Sequence, residues 1–201
     1  MKKFAALILG SLLAASLASC TESQPDPVPS IEQAPTEATT AEPSTEDPAV
    51  FDKTAEGIVK SYMKAVVDEH SALAAAKLMF PKEIAMKSFP TEDIACEKLF
   101  NGQEMDNGVT TGNFRTDKCE PLTESQLKDA EAYYEKYANV ISGLPKLDYT
   151  VLNGREITFT VALKSGDDSQ DYSETYIVVD MDDEGYKLIN APASKLEGLA
   201  D

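Results

Sequence analysis

Alternating apolar and polar residues between positions 149 and 189 predict a β-sheet. Every second residue of the central run is apolar: Ile157, Phe159, Val161 and Leu163. This period of two is typical of a strand with one buried face. Asn153-Gly154 separates this run from Tyr149–Leu152 and is typical of a hairpin turn. With the later apolar runs Thr175–Met181 and Tyr186–Ile189, the pattern predicts a four-stranded antiparallel sheet whose apolar face needs cover.

Apolar residues at helical spacing predict that helices supply this cover. Asp52 is the predicted N-cap of a first helix of about 17 residues. Short helices are expected at 72–80, 82–88 and 92–100. A capping box of Thr123 and Gln126 opens a further helix. The expected fold class is therefore α+β, with N-terminal helices packed on a C-terminal four-stranded antiparallel sheet.

The segment 101–121 is predicted to be irregular, because Asn-Gly pairs and glycine mark turns along it. Cys96 and Cys119 flank this segment. Two remaining cysteines in an exported protein usually pair, so we predict a disulfide bond between them. A bond across a loop of about 24 residues would stabilise the fold by about 3 kcal/mol. Two unlinked thiols are the main alternative, followed by a redox or metal-binding pair.

The first twenty residues have the pattern of an export signal. Lys2-Lys3 precedes the apolar stretch Phe4–Leu17, which is too short to span a bilayer comfortably. It ends in Leu17-Ala18-Ser19-Cys20, which resembles the lipobox of bacterial lipoprotein precursors. The resemblance implies that residues 1–19 are removed and that Cys20 is lipidated. Several acyl chains would hold the protein on the extracytoplasmic face of the cell membrane. An ordinary secretory signal is the alternative.

Residues 20–50 are predicted to form a disordered tether between the anchor and the folded domain. From position 21 onward the segment is rich in proline and acidic residues and has no lysine or arginine. The whole chain has a formal net charge of −17. A balance this acidic argues against binding nucleic acid, which requires clustered lysine and arginine.

No catalytic, metal-binding or cofactor-binding motif is present in the sequence. The acidic run Asp180–Gly185 matches a calcium loop only loosely, and its twelfth position is Ala191 instead of glutamate. A solvated hairpin turn explains this run better. We therefore predict no catalytic residue, no metal site and no cofactor.

The order of elements resembles that of nuclear-transport-factor-2-like domains, which have a cystatin-like cone of helices and sheet. Ile58–Val66 resembles their first helix, and Asp182–Ile189 resembles their last hairpin. The resemblance covers the globular α+β domain at 51–190 and leaves 191–201 as a tail expected to fray. Enzymes of the family use a pair of ionisable residues inside the cone, and no such pair can be assigned here. A likeness of fold carries little information on function.

These observations favour a membrane-anchored, non-enzymatic domain that binds a small apolar or sugar-like ligand or an envelope protein. The ligand would lie between sheet and helices. Five aromatic residues are its predicted walls: Tyr62, Tyr134, Tyr137, Phe159 and Tyr176. One alternative is an isomerase- or hydrolase-like enzyme in the same cone. Another is a structural envelope protein, which predicts an exposed apolar patch and no ligand cavity.

Overall fold

A computed structural model describes residues 48–103, 108–144 and 149–200. These residues form an α+β fold of six α-helices and one four-stranded antiparallel sheet. The helices are α1 (Pro48–Val67), α2 (Ala72–Met79), α3 (Lys82–Ser88), α4 (Glu92–Phe100), α5 (Glu124–Lys136) and α6 (Leu196–Ala200). The strands are β1 (Thr110–Pro121), β2 (Val151–Ser165), β3 (Asp168–Met181) and β4 (Gly185–Ile189). The predicted export signal, Cys20 and the tether as far as residue 47 lie outside the described residues.

The sheet is a meander in the order β1-β2-β3-β4. Strands β2 and β3 form its long central hairpin, with Ser165 opposite Asp168. The two-residue turn between them contains Gly166, whose φ of +61° suits glycine. Strands β3 and β4 join through the acidic turn Asp182–Glu184, so the hairpin predicted there is confirmed. Helix α1 packs against the sheet and buries one face of it.

The turn predicted at Asn153-Gly154 is wrong, because β2 runs through both residues. Asn153 pairs with Asp180 and Gly154 pairs with Val179 on β3. Glycine is favoured at position 154 because other side chains pack closely against the backbone, and not because the chain turns there. A Cβ atom added to Gly154 would lie 2.6 Å from Cδ1 of Leu122.

The irregular segment predicted at 101–121 is also corrected, since β1 occupies most of it. This strand lies at the edge of the sheet and pairs only with β2. Its register shifts twice, between Thr111 and Phe114 and between Thr116 and Lys118. These bulges and a largely exposed face remove the apolar alternation that would have revealed a strand. The sheet therefore has four strands as predicted, but β1 is one of them and Tyr149–Leu152 is not a separate strand.

Two predicted boundaries differ from the structure. Helix α1 begins at Pro48, so Asp52 lies inside the helix and not at its N-cap. There its carboxylate accepts a hydrogen bond from Nε of Arg155 at 2.6 Å. The expected frayed tail instead forms a short 3₁₀ turn and α6, in which Leu196 is fully buried. The burial of this side chain holds the C-terminal segment against α5.

The remaining helices are confirmed close to their predicted bounds, because their capping residues act as expected. Ser71 caps α2 by accepting a hydrogen bond from the Ala74 N–H at 3.1 Å. Thr123 and Gln126 form the predicted capping box of α5. A π-helical turn at Tyr137–Ile141 continues α5 before the chain leaves the helix at Ser142.

Candidate functional site

A cavity of about 480 Å³ lies between α2, α3 and β4. This volume is within the range of small-molecule binding sites. Its lining residues are Leu73, Lys77, Phe80, Lys82, Ala85, Met86, Phe89, Pro90 and Lys187. The cavity thus combines an apolar interior with three lysines.

Two stacked aromatic rings form the apolar floor of the cavity. The rings of Phe80 and Phe89 are 5.0 Å apart between centroids, with an angle of 23° between their planes. Both side chains are buried, and Phe80 also packs on Tyr137 at 4.6 Å. Pro81 follows Phe80 and separates α2 from α3, so the two phenylalanines flank α3 at either end.

Hydrogen bonds to the rest of the core hold the walls of this cavity in place. The hydroxyl of Tyr134 donates to the carbonyl oxygen of Met79 at the end of α2. The buried hydroxyls of Ser88 and Ser142 are 2.6 Å apart and join the end of α3 to the π-helical turn. The cavity is therefore formed by packed elements and requires no rearrangement to exist.

Flexible and exposed side chains form the mouth of the cavity. Met86 is 63% exposed, which is unusual for a large apolar side chain. Methionine is flexible and polarisable, so it can adapt to the shape of a bound molecule. Lys77 and Lys82 are also exposed at the mouth.

Lys187 lies deeper than the other two lysines. Its side chain is only 12% exposed, and this burial lowers the pKa of its ammonium group. Glu184 partly opposes the shift, but its carboxylate is 3.9 Å from the Lys187 Nζ atom. The same carboxylate accepts a hydrogen bond from the Lys82 backbone N–H at 2.8 Å. Glu184 therefore forms a hydrogen bond with the Lys82 N–H and a longer ion pair with Lys187.

The five aromatic residues predicted as ligand walls lie elsewhere, in the packed core. Tyr176 contacts Tyr62 at 5.6 Å and Phe159 at 5.0 Å between ring centroids. Tyr134 and Tyr137 both pack on Tyr133. None of the five lines the cavity described above. Their contact with a ligand stays a prediction, and their observed contacts are with one another and with other core residues.

Buried ionisable groups bear on the alternative of an enzyme. Burial raises the pKa of Tyr62, Tyr133, Tyr134 and Tyr176, so these phenols are neutral at physiological pH. Arg155 is buried as well, and its charge is compensated by Asp52. Tyr62 and Tyr176 also interact with Tyr172, whose hydroxyl donates to Glu174 at 3.4 Å.

Cys96 and Cys119 are free thiols in the structure. Cys96 lies on α4, where its Sγ contacts the Gln103 carbonyl oxygen at 3.3 Å. Cys119 lies on β1, and burial together with Asp52 raises the pKa of its thiol to about 11. A disulfide bond between them stays a prediction.

Sequence reasoning did not find the cavity, because its residues come from three elements and share no motif. The clearest signal was the pair of Phe-Pro dipeptides, Phe80-Pro81 and Phe89-Pro90, at the ends of one short helix. Each places a buried aromatic ring beside a helix boundary. Neither dipeptide indicates which strand lies opposite, so Lys187 could not be added from sequence.

Within the described ranges, no group of three His, Cys, Asp or Glu side chains is arranged to hold a metal ion. No helix in these ranges is long and apolar enough to cross a bilayer. The comparisons with known proteins found no matching family model, curated protein or solved structure.

Proposed function

We propose that the chain is a lipid-anchored extracytoplasmic protein whose folded domain binds a small apolar ligand without chemical turnover. The observation that carries this proposal is the cavity of about 480 Å³ with its stacked phenylalanine floor. A preformed apolar cavity binds a ligand without the loss of free energy that a rearrangement would require. The cavity also favours ligand binding over a purely structural role.

Membrane attachment is supported by the lipobox at Leu17–Cys20 and by the acidic, proline-rich segment that follows it. Lipid on Cys20 would anchor the chain, and the tether would separate the folded domain from the bilayer surface. Likeness to the nuclear-transport-factor-2-like domains is part of the same proposal. Its support is the long helix α1 packed on an antiparallel meander whose last hairpin is β3-β4.

The ligand-binding proposal is tested with phenylnaphthylamine, a neutral dye that fluoresces in apolar sites. The protein is the chain 21–201, which omits the predicted leader and the anchor cysteine. We expect saturable binding that Leu73→Trp abolishes, because the indole would fill the cavity mouth. Ile94→Trp is the matched control, since Ile94 is partly exposed on α4 and does not line the cavity. Equal binding to both variants, or failure of both this dye and its anionic analogue to bind, would refute the proposal.

The anchor is tested by substitution of the lipobox cysteine in cells. We expect Cys20→Ser to move the protein from the detergent-extracted membrane fraction to the soluble fraction. Cys96→Ser is the control, because Cys96 lies in the folded domain and should leave membrane attachment unchanged. Retention of the Cys20→Ser protein in the membrane fraction would contradict lipid anchoring.

A further inference from the structure

We propose that the ligand of this cavity is an amphipathic anion, with an apolar body against Leu73, Met86 and Pro90 and a carboxylate or phosphate head group on Lys187, Lys77 and Lys82. This inference rests on the proposed ligand-binding function and adds the chemical class of the ligand. It commits to a small molecule, because a cavity of about 480 Å³ bounded by two short helices and one strand has the size of a small-molecule site.

The charge of the cavity is opposite to that of the protein. The whole chain has a net charge of −17, yet three lysines line this single cavity. Among the described residues, the side chains of Lys77 and Lys82 form no ion pair. The lining of the cavity contains three lysines and no acidic residue, and Glu184 pairs with Lys187 from beside it. A site of this sign attracts anions.

The depth of Lys187 makes it the principal contact for the head group. Its side chain is only 12% exposed, and burial partly desolvates its ammonium group. The lowered pKa of Lys187 reflects this desolvation, and a bound anion would compensate it. A charged hydrogen bond in such a place is stronger than one at the surface.

Glu184 does not neutralise Lys187 fully. An N–O distance of 3.9 Å is too long for a hydrogen bond, and the Glu184 Oε2 atom already accepts from the Lys82 N–H. This contact with the Lys82 backbone N–H explains why the Glu184 side chain lies beside the start of α3. The donors of Lys187 are therefore open to a second acceptor from the cavity.

The apolar residues that line the cavity and its mouth determine where the apolar part of the ligand binds. The accessible apolar lining comes from Leu73, Met86 and Pro90, and the buried stacked rings of Phe80 and Phe89 support it from within the core. Met86 can close over the body of the ligand from the exposed side. Such a site binds a molecule with one apolar end and one anionic end better than either a simple ion or a neutral hydrocarbon.

Two dyes with the same ring system test the charge preference. Anilinonaphthalene sulfonate carries an anionic group, and phenylnaphthylamine lacks it. We expect the anionic dye to bind the chain 21–201 at least about fivefold more tightly, with salt weakening only the anionic dye. Equal affinities and equal salt dependence would overturn the proposed ligand class.

Lysine variants locate the charge contact. We expect Lys187→Met to weaken the anionic dye about tenfold and to change the neutral dye by less than about twofold, because methionine keeps the apolar stem. Lys187→Arg should restore most of the anionic affinity. Lys128→Met removes an exposed lysine from α5, outside the cavity, and should change neither dye. A parallel loss of both dyes in Lys187→Met would contradict a head-group role.

Glu184→Gln should change the affinity for the anionic dye in the opposite direction to Lys187→Met. The amide oxygen can still accept from the Lys82 N–H, while the negative charge beside Lys187 is removed. We expect the anionic dye to bind about threefold more tightly and the neutral dye to be unaffected. A purely structural role of Glu184 would not strengthen binding, so unchanged or weaker anion binding counts against the proposal.

Displacement of the bound dye distinguishes the sources of the head group. A medium-chain fatty carboxylate, the alkyl phosphate of the same length and the matching alcohol are compared. Displacement by either anion, with the alcohol at least about fivefold weaker, supports the proposal and identifies the head group. Equal displacement by the alcohol would refute the anionic class while leaving the ligand-binding function intact. Failure of both dyes to bind would refute the function itself.

Discussion

Two groups of aromatic side chains in this protein differ in their surroundings: one packs within the core, and the other borders a cavity. The interior group, Tyr62, Phe159 and Tyr176, lies between α1 and the sheet with every ring buried. The pocket group, Phe80 and Phe89, is also buried, but its stacked rings border a cavity. Aromatic side chains are therefore equally buried in both places, and the pocket group is the one that borders the cavity between α2, α3 and β4.

The difference follows from the elements that carry the rings. The interior group is enclosed by a long helix and two long strands, and its rings contact one another. The pocket group lies on either side of the seven-residue helix α3, which Pro81 separates from α2. Short elements joined at a proline pack less completely, because fewer side chains meet across them. A dense aromatic pattern therefore predicts burial, and it does not by itself predict a cavity.

The largest expected effect is the loss of packing in the interior group. Phe159→Ala should lower the free energy of unfolding by about 3–5 kcal/mol, because a fully buried ring would leave a cavity. Met86→Ala, at the exposed mouth of the pocket, should change it by less than about 0.5 kcal/mol. Urea denaturation monitored by circular dichroism measures both. Similar values for the two variants would remove the contrast between filled interior and open pocket.

Alkaline pH should destabilise the protein through the interior tyrosines. Burial raises the pKa of Tyr62, Tyr133 and Tyr176 above the ordinary value of 10.0. The unfolded chain then loses protons at a lower pH than the folded chain, so stability is complete below about pH 10 and falls as pH rises further. Urea midpoints between about pH 8 and about pH 11, with tyrosinate absorbance, test this.

The pocket offers a control for the alkaline experiment. Its aromatic floor has no ionisable ring, so neutral dye binding should persist until the fold itself is lost. Tyrosinate formation in the folded protein near pH 10, without loss of stability, would contradict the packing described for the interior tyrosines.

Replacement by alanine should change the free energy of unfolding in opposite directions at Gly154 and Gly57. Gly154→Ala should destabilise by about 1–2 kcal/mol, because the new Cβ would lie 2.6 Å from Cδ1 of Leu122 and 3.1 Å from Cδ2 of Leu127, so both leucine side chains would have to move. Gly57→Ala should stabilise by about 0.5–1 kcal/mol, since it lies on the exposed side of α1 with no atom within 4 Å. Thermal denaturation distinguishes them. A neutral Gly154→Ala would show that close packing does not extend to this end of the sheet.

The smallest expected effect concerns the cysteines and does not involve stability. With a pKa of about 11, the reduced Cys119 thiol should be alkylated at neutral pH about a hundredfold more slowly than an unhindered thiol. Mass measurement of the unreduced chain 21–201 separately tests the predicted Cys96–Cys119 bond, which would lower the mass by two hydrogens. An unchanged mass on reduction would leave the two thiols of the structure. Rapid alkylation of Cys119 would contradict its burial.

Local signals predicted the helices well and the sheet only in part. Ser71, Thr123 and Gln126 determine helix starts through hydrogen bonds within a few residues, and these predictions were confirmed. The turn predicted at Gly154 was wrong, because glycine is favoured both in turns and where another side chain, here Leu122, packs closely against the backbone. β1 was missed, because an edge strand with bulges has no regular apolar alternation. The start of α1 at Pro48 was missed, because Asp52 has the residue type of a cap and instead pairs with Arg155.

The sequence by itself determined the α+β class, the central β2-β3 hairpin and most helix starts, since each depends on residues that are close along the chain. The predicted export signal and Cys20 anchor also rest on sequence alone. Only the tertiary structure decided which strands form the sheet and where a cavity remains. Lys187 is about a hundred residues from Lys77 and Lys82 along the chain, and only the packing of β4 against α2 and α3 brings the three to one cavity. The shape of that cavity depends on contacts between distant residues, which no local pattern contains.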